Sequence, residues 1–211
     1  MGKVTAIRGH DAGKQVRVFL DGRFAFTLEA ETAAKQGLRL GQELGEGEIE
    51  SLIRANDYAR CLDAAARYLS YRPRSEAELR KRLFQRGFDG TNIESALRLL
   101  KERDLVDDAA FAQFWRDNRE SFRPRSRWLT RVELKQKGVP EDIIDEVVAE
   151  VDDNDGAYRA AMGKVRSLSL ADYQSFRRRM NEYLRRRGFG YGVINQTISR
   201  VWQESQKEQK D

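Results

Sequence analysis

Apolar residues recur along this chain with two different periods, and the change between them divides it. Near the N-terminus the period is two. Val16, Val18 and Leu20 alternate with polar positions, Asp21-Gly22 follows, and Phe24, Phe26 and Leu28 alternate again. Asp-Gly between two alternating runs predicts a β-hairpin, because a type I′ turn needs positive φ at both central residues. A lone hairpin is marginal in water, so Val4–Arg8 is expected to add a strand and Ala30–Gln36 a short helix. Gly37, Gly41, Gly45 and Gly47 punctuate a loop, and Glu48–Ser70 reads as helix.

From about residue 58 the period becomes helical. Ile93, Ala96, Leu97 and Leu100 lie at i, i+3, i+4 and i+7; Ile144, Val147, Val148 and Val151 repeat the spacing, as do Ile194, Thr197, Ile198 and Val201. Each stripe follows a glycine at a constant distance. Leu83-x3-Gly87-Phe88, Leu134-x3-Gly138-Val139 and Leu184-x3-Gly188-Phe189 are three copies of one pattern. With the glycine in the left-handed conformation, the leucine and the residue after the glycine touch in a Schellman cap, so each copy predicts a helix stop. Ser75-Glu76-Ala77-Glu78 and Thr91-Asn92-Ile93-Glu94 read as capping boxes, and Pro140 suits a first helical turn.

The chain also repeats a longer phrase. Residues 72–88 read RPRSEAELRKRLFQRGF and residues 123–139 read RPRSRWLTRVELKQKGV. A third copy keeps the glycine and the stripe but has Gln174 and Phe176 where Pro73 and Ser75 stand in the first. The expected first helices of the three copies are Cys61–Ser70, Asp108–Glu120 and Asp155–Arg166. Repeats of about fifty residues indicate stacked helical modules. The expected fold is therefore mainly α: an elongated tandem array of three three-helix, helix-turn-helix-like repeats behind a small β-hairpin-containing segment. The expected divisions are 1–50, 51–105, 106–152 and 153–211, the last ending in a polar tail.

Composition narrows the partner. Of 211 residues, 35% are charged and 40% hydrophobic, which suits several thin cores better than one deep one. No apolar run approaches a membrane span and the N-terminus carries no apolar signal core, so a cytoplasmic protein is expected. The net charge of +5 understates the cationic character, since 29 of the 39 basic residues are arginine, whose rigid fork suits phosphate and carboxylate.

Reactive constellations are scarce. Gly9–Lys14 reads GHDAGK, one residue short of a phosphate loop between its glycines, with Gln15 where Ser or Thr is needed. A polar turn accounts for it. One histidine, His10, and one cysteine, Cys61, do not supply a four-ligand zinc site, and Cys61 falls in an alanine-rich helix as a small buried hydrophobe. Asp107-Asp108 and Asp152-Asp153-Asn154-Asp155 could be taken for magnesium ligands, but both precede expected helices, where aspartates cap free amides. No catalytic residue, cofactor or metal is assigned.

Arginine flanks proline in both full copies, and basic residues continue beyond. Proline and serine are explained by helix entrance and capping; the arginines are not. The candidate partner-binding residues are Arg72, Arg74, Arg80, Lys81, Arg82 and Arg86 in the first unit, and Arg123, Arg125, Arg127, Arg131, Lys135 and Lys137 in the second. Arg178, Arg179, Arg185, Arg186 and Arg187 complete them in the third. A regular stack would turn these into a cationic ladder suited to a periodic, negatively charged partner.

Tyr68-Leu69-Ser70-Tyr71-Arg72-Pro73-Arg74-Ser75-x-x-Glu78-Leu79, then Leu83 and Gly87, then Asp107-Asp108-x-x-Phe111-Ala112 and Trp115, then Pro124-Arg125-Ser126 with Glu133-Leu134-x-Gln136-Lys137-Gly138, resembles the RecX family of bacterial regulators. The resemblance runs through about residues 58–150 and more weakly to the end. It implies non-enzymatic three-helix modules that bind the RecA recombinase, chiefly as its filament on DNA. It further implies suppression of ATPase, strand exchange and coprotease activity through occupation of the filament groove, and direct DNA binding in some members. The absence of an uncovered coiled-coil seam leads us to expect a monomer.

Two rival readings stay open. One is a helix-turn-helix-like nucleic-acid-binding protein acting without the recombinase, contacting mainly phosphates. The other is a carboxylate–metal enzyme, which would need the aspartates above to converge.

Overall fold

A computed structural model describes residues 1–170 and 172–208; the last residues of the expected polar tail lie outside them. The protein separates into two compact units. One comprises Met1–Arg72 with Leu79–Leu105, and the other comprises Pro73–Glu78 with the chain from Val106 onward.

The first unit opens with a four-stranded antiparallel sheet. Strands β1 (Gly2–His10), β2 (Gln15–Leu20) and β3 (Arg23–Glu29) are joined by helix α1 (Ala30–Lys35) to the short β4 (Glu43–Leu44), in spatial order β3-β2-β1-β4. Asp21 and Gly22 both have positive φ, 47° and 81°, as the I′ turn requires. In the β2–β3 hairpin the alternation is broken once. The register slips between Val18 and Phe19, which pair with Phe26 and Phe24, so Ala25 is an extra residue on β3. Phe24 therefore leaves the face shared by Phe26 and Leu28; it is 50% exposed and meets Phe19 edge-on. A bulge reverses every side chain beyond it. The sheet core is Val4, Val18, Phe26, Leu28 and Leu44 against Ala33 and Leu52. β4 arises within the glycine-punctuated stretch expected to be loop, where Lys3 pairs with Glu43 and Gly2 with Leu44.

Helix α2 (Glu46–Tyr71) is long and begins two residues earlier than its pattern suggests, because the Glu48 carboxylate accepts from the Gly45 amide. It contains the fully buried Cys61 and packs on α4 (Gly90–Glu102). Asp89, not Thr91, caps α4, accepting from the amides of Thr91 and Asn92. The expected box at Thr91 starts two residues too late, since the Asp89 carboxylate reaches the free amides first.

The second unit holds α5 (Asp108–Phe122), α6 (Arg127–Gln136), α7 (Glu141–Ala149), α8 (Asp153–Val165), α9 (Tyr173–Arg185) and α10 (Tyr191–Glu208), together with the opening residues of α3 (Glu76–Gln85). Pro140 stands immediately before α7. Two cores form: Phe111, Leu134, Ile144 and Val148 with their neighbours, and Phe176, Met180, Leu184, Ile194 and Ile198 with theirs. Phe176, which replaces the capping serine, is buried against Trp202, and Asp172 caps α9 instead.

The three glycine stops share one geometry. Gly87, Gly138 and Gly188 have φ of 88°, 73° and 84°. Each glycine amide donates to the carbonyl three residues back, and the following amide donates to the buried leucine: Phe88 to Leu83 (3.3 Å), Val139 to Leu134 (3.2 Å) and Phe189 to Leu184 (3.4 Å). These are Schellman caps.

Within the second unit, the beginning of one repeat's middle helix meets the glycine turn of the next. Ser75 Oγ accepts from the Glu78 amide and donates to the Lys137 carbonyl. One repeat later, Ser126 Oγ accepts from the Leu129 amide, while the Ser126 amide donates to the Arg187 carbonyl. The next amide finds an aspartate in both places: Glu76 donates to Asp108 at 2.8 Å and Arg127 to Asp153 at 2.6 Å. Asp107 and Asp152 cap their own helices. The paired aspartates therefore divide into a cap and a joint.

Candidate partner-binding surface

The basic residues nominated from the sequence fall into three groups by what their charge meets. The first group is engaged by acceptors of the protein itself. Arg74 is buried, 8% exposed, with Nη1 3.3 Å from Glu78 Oε1; the Lys137 ammonium approaches the same oxygen at 3.3 Å. Lys137 also stands over the Trp115 ring. Arg127 donates through Nη2 to the carbonyls of Ala149 (3.3 Å) and Val151 (2.8 Å), and through Nε to Val151. It thereby satisfies open carbonyls and the negative dipole end of α7. Burial takes Arg74 out of an outward ladder, while half-buried Lys137 and exposed Arg127 spend donors on these internal acceptors.

The second group forms ion pairs across neighbouring helices. Arg131 pairs with Glu141 and Asp145, Lys135 with Glu141, and Arg80 with Glu94. Arg125 lies 3.7 Å from Glu133, whose other oxygen accepts from Trp115 Nε1 and Arg119 Nε. Exposed pairs of this kind contribute roughly 0–1 kcal/mol each. Their chief effect here is to reduce the charge that a partner meets.

The third group faces outward. Lys81, Arg82 and Arg86 are exposed, Arg82 lying over the Tyr68 ring. Arg72 is half-buried and Arg123 exposed. On α9 and its cap, Arg177, Arg178, Arg179, Arg185 and Arg186 are all exposed, and among the described residues none closes an ion pair. Arg177, Arg178 and Arg185 line a shallow groove with Gln174, Asn181 and Glu182. Arg187 differs: its guanidinium lies 3.7 Å from the centre of the Tyr183 ring. Burial depresses its pKa most, the positive charges of Arg125, Arg186 and Arg123 depress it further, and Tyr183 partly offsets them. The densest unneutralised charge therefore sits on the third repeat, whose repeating phrase is the most eroded. Arg177, which opens the Arg177-Arg178-Arg179 run, joins the sequence-nominated residues on this face.

The described residues contain no cluster of three or more His, Cys, Asp or Glu side chains able to hold a metal ion, and no helix long and apolar enough to cross a membrane. Cys61 is wholly buried, and its thiol is pushed up to about 11, mainly by that burial and then by Asp89.

Repeated three-helix modules, one of them carrying a strongly cationic helix, define a modular helical-repeat protein. The comparisons with known proteins specify which. Residues 61–100 match the family model described as RecX, first three-helix domain, and residues 107–148 that of the RecX second three-helix domain. A Regulatory protein RecX from Chlorobaculum tepidum is 38% identical over 140 residues, covering 66% of this chain and 87% of the relative. One from Clostridium perfringens strain SM101 is 28% identical over 207 residues, covering 95% and 97%. The crystal structure of a regulatory protein RecX superposes with a TM-score of 0.65 over 94% of this chain and 100% of that one at 22% identity. RecX from Lactobacillus salivarius gives 0.58 over 70% and 97% at 21% identity. The chain belongs to the RecX family of regulatory proteins, and its fold is that of the family.

Proposed function

We propose that this protein binds a RecA-type recombinase, chiefly as its filament on DNA, and lowers its ATPase, strand-exchange and coprotease activities in recombination and repair. It acts in the cytoplasm as a monomer and catalyses no reaction of its own. Family membership supports the partner, and the unpaired arginines of α9 support the surface. Long-range attraction from such a face raises the encounter rate with an acidic assembly and weakens with salt. Arg178, Arg179, Arg185 and Arg186 lead this contact, with Lys81, Arg82 and Arg86 supplying a second cationic region.

The test is a titration of DNA-dependent ATP hydrolysis by the recombinase. The wild-type chain should inhibit at amounts comparable to the recombinase or below, and Arg178→Glu with Arg179→Glu should require at least about tenfold more protein, a change worth about 1.4 kcal/mol. Unchanged ATPase, strand exchange and filament length in the presence of the wild-type protein would overturn the proposal. Footprints on DNA that appear without recombinase and depend on base sequence would favour an independent DNA-binding regulator instead.

A further inference from the structure

The sheet of the first unit has a covered face and a bare one. Val18, Phe26 and Leu28 belong to the core, so the alternating positions Arg17, Phe19 and Thr27 face outward. On that outer face Arg17 stands opposite Arg8 on one side and Thr27 on the other, and Phe19 stands opposite Phe24. Like charges facing each other across a strand pair are destabilising, and among the described residues neither arginine closes an ion pair. Aromatic rings hold them instead. The Arg8 guanidinium lies 5.0 Å from the centre of the Phe19 ring, and that of Arg17 lies 4.9 Å from the centre of the Phe24 ring.

These two contacts have a direction. Arg8 reaches from β1 to a ring on β2, and Arg17 reaches from β2 to a ring on β3. Both guanidinium groups thus lean toward the β3 side of the sheet, where Arg23 adds a third exposed cation. β3 is an edge strand of seven residues without proline, and no strand pairs with its outer side. The Glu29 amide points away from β2 and donates to Asn56 Oδ1 at 2.7 Å. By the two-residue period of a strand, the Thr27 amide points the same way. Such an edge is a template for another strand unless something blunts it. The charges of Arg17 and Arg23 oppose a second copy of the same strand; they favour an acidic one.

We infer that the outer edge of β3 takes up an extended acidic segment of another protein as a fifth strand, its carboxylates meeting Arg17 and Arg23 beside the half-exposed ring of Phe24. In strand addition the main-chain hydrogen bonds supply affinity and the alternate side chains supply selectivity. A guanidinium lying over a ring keeps its edge N–H donors free for a carboxylate. Single-stranded nucleic acid fits this face less well. Phe19 and Phe24 meet edge to face and each carries a guanidinium, which leaves little open ring for bases to stack on. Neither the chemistry of the segment nor its seat depends on the recombinase reading.

The test uses the full chain with a fluorescein-labelled peptide of about ten residues in which glutamate and valine alternate, followed by anisotropy over a range of salt concentrations. The peptide should bind, and its lysine–valine counterpart should not. Arg17→Glu should lower the affinity at least about tenfold and flatten its salt dependence. Thr27→Pro removes an edge donor without touching the pairing with β2, so it should lower the affinity by a similar factor and leave the salt dependence unchanged. If Thr27→Pro fails to fold by circular dichroism, slowed exchange of the wild-type Thr27 amide on adding the peptide is read instead. Absence of binding, or binding that survives either substitution, would overturn the inference. Loss confined to Arg178→Glu with Arg179→Glu would also overturn it and assign the peptide to α9. Tighter binding of an oligothymidylate than of the peptide, itself lost in Arg17→Glu, would overturn it in favour of nucleic acid.

Discussion

The hydroxyl of Ser75 reaches the carbonyl oxygen of Lys137 at 2.5 Å, joining the start of one helix to the glycine turn of the following repeat, 62 residues on. The same oxygen caps its own helix by accepting from the Glu78 amide at 3.1 Å. A residue that looks like an ordinary N-cap is thus also a hinge pin between repeats. Ser126 divides these tasks, using its hydroxyl for the cap and its amide for the Arg187 carbonyl.

Ser75→Ala should therefore cost more than Ser126→Ala. The first loses a cap and leaves a carbonyl short of a donor, about 2–3 kcal/mol; the second loses the cap alone, about 1 kcal/mol. Urea unfolding of the two variants measures the difference, and equal midpoints would remove Ser75 from the joint.

The three glycines should not respond alike to alanine. All have positive φ, so each loses about 1 kcal/mol to backbone strain. A Cβ at Gly87 meets open space, whereas one at Gly188 would lie 2.5 Å from Ser126 Oγ and 2.7 Å from Leu129 Cβ, and one at Gly138 would strike Ala77 Cβ. Gly138→Ala and Gly188→Ala should cost a further 1–3 kcal/mol through overpacking. Thermal melts in the order Gly87→Ala above the other two are expected.

Charge reversal at Arg74 should unfold rather than merely unbind. Arg74→Glu would place a second carboxylate beside the largely buried Glu78, and breaking a buried pair costs about 3–5 kcal/mol. Loss of helical circular dichroism at moderate temperature is the expected reading. Arg178→Glu with Arg179→Glu, both on the exposed face of α9, should melt as the wild type does.

Acid should loosen α9 through its cap. The Asp172 carboxyl is held below its ordinary value chiefly by the Ser175 side chain and then by the amides of Ser175 and Gln174. A depressed folded pKa means that this stabilisation is present above the unfolded value and is lost as pH falls through the folded one. Protection of the first-turn amides of α9, measured relative to their intrinsic exchange rates, should fall below about pH 4. Asp172→Asn, which keeps a cap oxygen without the titration, should abolish that pH dependence.

Cys61 should resist alkylation in the native protein. A thiol with a pKa of about 11 is about one part in a thousand thiolate at pH 8, and this one is wholly buried. Its modification by iodoacetamide should track denaturant-induced unfolding, and rapid native labelling would contradict the packing of α2 on α4.

What the sequence determined by itself was local. The leucine-to-glycine spacing of each stop, the Asp-Gly turn and the 3.6-residue stripes depend on neighbours within one or two helical turns, and each appears in the structure where its pattern lies, except that Val151, the last of the second stripe, falls two residues past α7. The bulge that turns Phe24 outward, and the choice of Asp89 over Thr91 as a cap, escaped because both turn on which backbone groups meet. Only the tertiary structure decided which arginines face outward. Arg74 and Arg125 occupy the same place in the repeated phrase, yet Arg74 shares the Glu78 carboxylate with Lys137 while Arg125 lies 3.7 Å from Glu133 with Arg187 as a like-charged neighbour. A guanidinium is defined by the charges within a few ångströms of it: the carboxylates here are local, Glu78 four residues from Arg74, whereas the competing cations Lys137 and Arg187 come from about sixty positions away.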